Sequence, residues 1–397
     1  MFKNFRLLFS CLLIAGCATT NVPNVGQAGY QRMDEEKRLA KRADELTEYI
    51  DDSGSVYADT ELENYLTQLA NSLLPETVRS QGFAVKVKVI KEPTLNAFSL
   101  PNGRIYVHLG ILAATDNEAQ LASLLGHEMT HILNRHALKE ILTVTNKSAF
   151  LAALSTPLAI VGGELSSAFV QLTVVSSMYG YSQDLEYEAD EQGFQMILEK
   201  GYDVREAPKL FEHMKEFIDE EEQKVPFFFS THPKVLARIK NFNELINKEK
   251  NITNDGTKKV TSDDYQRIVP KTLLDQAKIC LQAGLFKTAE RNINKFIQRN
   301  PDDERGYYFL GELYRQRQDP VKKEKVRDKT QDYIQALEAY DKVLALQPQY
   351  SEAIKAKARV LQKQEKNDAA KEFYKQYLQL NPSAEDKQYI EQFISSP

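Results

Sequence analysis

The spacing of hydrophobic positions changes character along the chain, and each change marks an element. Charged sequence of helical type runs from about residue 31 to 50 and stops at the turn Asp52-Ser53-Gly54-Ser55. Leu62, Leu66, Leu69 and Leu73 then recur at steps of three and four, which predicts a helix over 60–74 closed by Pro75. Residues 83–90 alternate strictly, as a half-buried strand does. Two further strand-like runs, 95–100 and 104–108, straddle Pro101-Asn102-Gly103, a hairpin turn signal. The apolar run 121–125 follows, with Thr115-Asp116-Asn117-Glu118 ahead of it in the form of a capping box. From there to Glu140 only Gly126 interrupts, so one continuous helix of about two dozen residues is expected.

Residues 148–183 hold one charged side chain, Glu164, and invite a membrane-span assignment. Pro157, Gly162, Gly163 and five serines in the second half leave no run both long and apolar enough to cross a bilayer. A helical hairpin or loop lining a cleft, brushing a membrane surface, is the preferred reading. Residues 251–266 are polar and read as a linker.

Beyond the linker, Pro348 and Pro382 are 34 residues apart, the tetratricopeptide (TPR) period. Pro301 and Pro348 are 47 apart, which a charged insertion near 318–330 accounts for. Ala289, Ala336 and Ala370 then fall at the small position of each second helix, and Tyr340 and Tyr374 at the aromatic position four later. Leu310-Gly311 and Tyr314 fit the first-helix signature. About three repeats over 267–397 predict a short α-solenoid with a concave face for a protein partner.

Composition bounds the setting. The chain has 397 residues, 42% hydrophobic and 27% charged, which suits two or three domains. Residues 1–16 read as an export signal, with Lys3 and Arg6 before the apolar stretch 7–14. Leu13-Ile14-Ala15-Gly16-Cys17 resembles a bacterial lipobox, which makes Cys17 the lipid attachment and 17–29 a flexible tether. Ala18, in place of an acidic retention signal, resembles lipoproteins sent to the outer membrane and facing the periplasm. Loss of Lys3 and Arg6 moves the formal charge from −5 to −7, which argues against a nucleic-acid partner. Of three cysteines, Cys17 and Cys280 survive processing; with Cys17 acylated, no internal disulfide is expected, and Cys280 falls on a packing position.

The chemistry lies in His127-Glu128-Met129-Thr130-His131. A four-residue step brings two helical side chains within about 40° of each other, so both imidazoles can hold one zinc ion. Glu128 beside them is placed to take a proton from a water that the metal acidifies. A third ligand must come from elsewhere. Positions 134 and 137 are Asn and Ala, which excludes the HExxHxxGxxH solution. On a continuous helix His136 would stand about 140° around from His131 and cannot reach the ion. Glu186 and Asp190 share a face of a later helix that ends at Lys200-Gly201. One can bind zinc while the other accepts a hydrogen bond from a ligand imidazole, and spacing leaves Glu188 open as the ligand.

HExxH followed by Glu186-Tyr187-Glu188-Ala189-Asp190 resembles the gluzincin family of HtpX-like and CAAX-prenyl-protease-like zinc metallopeptidases. The likeness extends to Asn96-Ala97-Phe98, Gly201-Tyr202-Asp203 and Thr231-His232-Pro233 with Arg238, roughly residues 58–245. Gln183 departs from it, where relatives often carry Arg. The resemblance implies an α+β, mainly helical fold: a zincin-like domain over 30–250 with a small sheet, then the TPR solenoid. It implies one zinc per chain on His127, His131 and Glu186, Glu128 as general base, and Asp190 behind a ligand. In BepA-like periplasmic members the residue matching His232 can occupy the open coordination position as an inhibitory ligand, and Arg238 is the expected oxyanion partner. His108 and His213 match no role and read as structural.

The function implied is zinc-dependent endopeptidase action on misfolded or stalled outer-membrane and periplasmic proteins. The TPR face would take a protein partner, with the β-barrel assembly machinery as the candidate, and the lipid would hold the chain to the membrane. The competing expectation is a non-proteolytic TPR assembly factor or chaperone with a structural zinc.

Overall fold

The structure, a computed structural model, describes residues 22–143, 181–221, 235–249, 258–317 and 329–396. The expected lipid attachment Cys17, most of the uncharged stretch 148–183, the expected inhibitory ligand His232 and the core of the insertion near 318–330 lie outside the described residues.

The N-terminal half is a small sheet between helices. Strands β1 (Lys86–Ile90), β2 (Ala97–Ser99) and β3 (Arg104–His108) take the order β1-β3-β2. β1 runs parallel to β3, and β2 pairs antiparallel with it through the expected hairpin, where Gly103 sits at φ +85°. Alternation sorts the side chains into two layers. Val87, Val89, Ala97, Ile105 and Val107 join one core with the leucines of α2 (Thr60–Leu73) and with Leu121, Leu124 and Leu125 of α5 (Glu118–Leu133). Phe98 and Tyr106 face the other way, onto Leu39, Ala43, Leu46 and Ile50 of α1 (Asp34–Asp52). α3 (Glu76–Arg79) and α4 (Leu109–Ala114) are short connectors.

The helix bearing the histidines starts and stops differently from the expectation. Its N-cap is Asn117, whose side chain accepts from Gln120 N, while Gln120 Oε1 accepts from Asp116 N at 2.9 Å. The box therefore sits two residues later than Thr115-x-x-Glu118. Glu118 instead becomes a buried acceptor for the Tyr65 and Tyr202 hydroxyls at 2.7 and 2.6 Å, and for Ser262 and Lys259. At the far end the helix is not continuous to Glu140. It stops at Leu133, Asn134 caps it, Arg135 turns left-handed at φ 57°, and α6 (His136–Thr143) begins in a new direction.

Arg135 also alters the picture of the tether. Its guanidinium donates to the carbonyls of Pro23 and Gln31 and to Glu36, and lies over the Tyr30 ring. Val25 N donates to Leu133 O. Residues 22–31 are therefore fastened to the end of α5, and any free tether is shorter than 17–29. Those contacts offset the roughly 1–3 kcal/mol that a left-handed non-glycine residue costs.

Helices α7 (Gln183–Glu199), α8 (Glu206–Glu221) and α9 (Val235–Lys248) complete the domain. The expected linker is structured where it is described. Lys259 bridges to Tyr202, and α10 (Asp263–Ile268) sends Tyr265 and Ile268 into the main core.

Three antiparallel pairs follow: α11 (Thr272–Ala283) with α12 (Phe286–Arg299), α13 (Glu304–Gln316) with α14 (Lys329–Leu346), and α15 (Ser351–Lys363) with α16 (Asn367–Leu380). α17 (Lys387–Ser395) covers the end. Ala289, Ala336 and Ala370 are fully buried, and a Cβ on Gly311 would strike the Tyr340 ring. Cys280 is buried in this core, outside any disulfide, with Gln276 Nε2 3.4 Å from its sulfur.

One crossing fixes the rest of the domain. α5 and α7 approach so closely that a Cβ on Gly193 would lie 2.9 Å from His127 N and 3.0 Å from Gly126 C. Gly193→Ala should therefore destabilise the domain by about 1–3 kcal/mol in a urea titration, because backbone has no rotamer with which to retreat. A neutral substitution there would mean that the two helices are not in backbone contact.

Candidate metal centre

The close crossing places α7 across the HExxH turn of α5. Glu186 and Asp190, one turn apart, are both fully buried and both meet His127. His127 Nε2 and His131 Nε2 stand 3.1 Å apart. Glu186 brings Oε2 to 3.5 Å from the first and Oε1 to 3.5 Å from the second. Donors bound to one zinc ion at about 2.0–2.1 Å stand about 3.3 Å apart in a tetrahedral site, so the two imidazole nitrogens and the Glu186 carboxylate lie within reach of a single ion. The donor types fit as well. Among the described residues these three form the cluster of His, Cys, Asp and Glu side chains whose ligand atoms come together. Glu128, 1% exposed, belongs to the same buried turn.

Behind His127 stands a carboxylate. Asp190 Oδ1 lies 3.0 Å from Nδ1, so with Nε2 turned to the metal the Nδ1 proton is donated to Asp190. Arg238 of α9 holds Asp190 in turn, donating from Nε at 3.1 and 3.2 Å and from Nη2. Its Nη2 is 2.8 Å from His127 Nδ1, a contact between two donors once Nδ1 carries its proton and hence no hydrogen bond in that tautomer, and its guanidinium lies 4.2 Å from the centre of the Phe211 ring. The expected oxyanion partner is thus placed behind a ligand ring, on the side away from Nε2. Only 1% exposed, Arg238 is locked into a buried ion pair that orients His127.

His131 is supported differently. Tyr181 stacks on its ring, centroids 4.0 Å apart and planes 12° from parallel. His136 Nδ1 comes to 2.9 Å from His131 Nδ1, and Glu188 Oε2 lies 3.4 Å from His136 Nε2. Glu188 is therefore near the site without joining the ligand cluster. An unbroken helix through position 136 would have put His136 out of reach, and no sequence pattern singles out Tyr181. Asn134 was the available signal, a residue at ease at helix ends.

The other two described histidines, His108 and His213, lie outside the cluster. His108 is buried beside Thr94 Oγ1 at 2.7 Å, and burial pushes its pKa down to about 3, so it stays neutral. His213 contacts Ala114 O and Asp116.

Removing the Asp190 carboxylate takes from the buried Arg238 guanidinium the acceptor that its Nε and Nη2 share. Asp190→Ala should cost about 3–5 kcal/mol in chemical denaturation, and Asp190→Ala with Arg238→Met should recover much of that. A loss below about 1 kcal/mol for the single variant would contradict the buried pair.

Comparison with known proteins agrees with this geometry. Residues 60–246 match the profile of Peptidase family M48, and residues 353–383 match that of a tetratricopeptide repeat. A mitochondrial metalloendopeptidase OMA1 from Schizosaccharomyces pombe is 29% identical over 279 residues, 68% of this chain and 78% of that protein. A mitochondrial metalloendopeptidase OMA1 from Danio rerio is 36% identical over 170 residues, covering 40% of this chain and 35% of its own length. A beta-barrel assembly-enhancing protease from Escherichia coli is 30% identical over 187 residues, 44% of this chain and 37% of that protein. The chain thus spans most of the fission-yeast relative and about a third of the other two. Residues 60–246 are an M48 metallopeptidase domain, and the helical pairs behind it are TPR-like.

Proposed function

We propose that the M48 domain of this chain is a zinc-dependent endopeptidase, with His127, His131 and Glu186 holding one ion. The observation that carries this reading is the convergence of those three buried donors beside Glu128 on one helix turn. When bound, the ion supplies Lewis-acid chemistry, acidifying a water and polarising the scissile carbonyl. Glu128 takes the proton of the attacking water and returns it to the leaving amine as the C–N bond breaks. Asp190 and Arg238 keep the His127 ring turned so that Nε2 faces the metal. Exclusion of solvent from these side chains strengthens every charge interaction among them.

The sheet supports a peptide substrate. β2 is an edge strand, and among the described residues no strand pairs with its outer side. A cavity of about water size, lined by Ser99, Leu100, Pro101, His131 and Tyr181 among others, lies beside it. An extended chain added to that edge gains main-chain hydrogen bonds without a particular side-chain sequence, which suits unfolded stretches.

The cellular reading rests on the N-terminal pattern and the relatives. We propose a lipoprotein, acylated at Cys17, on the periplasmic face of the outer membrane of a Gram-negative bacterium. No helix among the described residues is long and apolar enough to cross a membrane. Its proposed substrates are misfolded or stalled envelope proteins, outer-membrane β-barrels among them. The TPR face would engage a protein partner, with the β-barrel assembly machinery as the candidate. His232 remains the proposed inhibitory ligand.

Casein cleavage by the zinc-loaded chain tests the reading. Glu128→Gln should keep its zinc and lose activity by about 10²–10⁴-fold, the usual worth of a general base. Chelation should abolish cleavage and added zinc restore it, while His232→Ala should raise the rate. Undiminished cleavage by Glu128→Gln would defeat the enzymatic mechanism. A slower His232→Ala would replace the switch with a catalytic role.

A further inference from the structure

The two ligand histidines are held by different chemistry. Behind His127 the Nδ1 partner is a carboxylate; behind His131 it is another imidazole, 2.9 Å away. We propose that His136 and Glu188 form a positioning relay that fixes the tautomer and orientation of His131 and so sets zinc affinity.

The proton positions follow from the contacts. His131 Nε2 faces His127 Nε2 and Glu186, so it is the metal-binding nitrogen and Nδ1 carries the hydrogen. That hydrogen points at His136 Nδ1, which must then be bare and accept it. The His136 proton therefore falls on Nε2, which stands 3.4 Å from Glu188 Oε2 in a charge contact short of a hydrogen bond. The His131 proton thus points at His136, with the Glu188 carboxylate beyond it.

The backbone makes this possible. His136 is fully buried and is returned over His131 by the left-handed turn at Arg135. The relay's outer end is held in place as well. Asn134 Nδ2 donates to Glu188 Oε1 at 2.6 Å, and Lys139 Nζ lies 3.6 Å from the same oxygen. Glu188 itself is 31% exposed in its side chain, so substitution there perturbs the relay without opening the core.

This inference depends on His131 being a zinc ligand, and zinc affinity separates the two claims. Dissociation constants of the full chain are measured by chelator competition for wild type, His136→Phe, His136→Asn and Glu188→Ala, with visible spectra of the cobalt-substituted forms. His136→Phe fills the space but cannot accept a hydrogen bond; it should weaken zinc binding about 10–100-fold and shift the cobalt spectrum. His136→Asn, whose amide oxygen can take the place of Nδ1, should recover to within a few-fold of wild type. Glu188→Ala should weaken binding by a smaller factor, about three-fold or more. Wild-type affinity and an unshifted spectrum in His136→Phe would overturn the relay while leaving the metal site standing. If that variant does not fold, unchanged affinity in Glu188→Ala overturns it instead. A wild-type chain that binds no zinc would overturn both claims.

Discussion

Everything reactive in this molecule depends on two backbones being allowed to touch. The third metal ligand comes from a helix that begins more than fifty positions after the histidines. It reaches them because Gly126 and Gly193 leave no side chain at the crossing of α5 and α7. Helices with ordinary side chains at the contact pack 8–10 Å apart. A methyl group on Gly193 would meet His127's own backbone nitrogen, so the spacing of the site is set next to the ligand itself. The surrounding core holds both helices in that approach, with Leu121, Leu124 and Leu125 on one and Phe194 and Ile197 on the other.

Bringing polar groups into that dry space requires a partner for each. A bare charge or an unmade hydrogen bond there costs several kcal/mol, and the site meets this with two constructions. His127 is backed by a full ion pair, Asp190 with Arg238, whose strength comes from opposite charges screened from water. His131 is backed by aromatic stacking on Tyr181 and by the His136 ring, whose Nδ1 stands 2.9 Å from its own. The first arrangement is rigid and deeply enclosed. The second reaches toward the surface, and the Arg135 turn that enables it also ties down the N-terminal segment.

Much of this was legible because helical spacing is periodic. His127 and His131 on one face, Glu186 and Asp190 on another, the alternating sheet and the buried Ala289, Ala336 and Ala370 all follow from counting residues. What escaped counting were features that local preference does not encode. An arginine in the left-handed region at 135 is held there by contacts with residues about a hundred positions earlier, so nothing nearby announces the break after Leu133. The same break brought His136 to a place where an unbroken helix could not put it. The family resemblance offered Arg238 as an oxyanion partner, but its side of the ring depends on how α9 crosses α7. The polar stretch before Ser262 looked like a linker, although Lys259 has a tertiary partner in the Glu118 cluster.

The most direct test of the account is X-ray absorption at the zinc edge on the purified full chain, with metal counted per chain. One zinc per chain is predicted, its nearest shell made of two imidazole nitrogens and oxygen donors at about 2.0–2.2 Å. A metal-free protein that takes up none, or a shell containing sulfur or a single imidazole, would contradict the assignment of His127, His131 and Glu186.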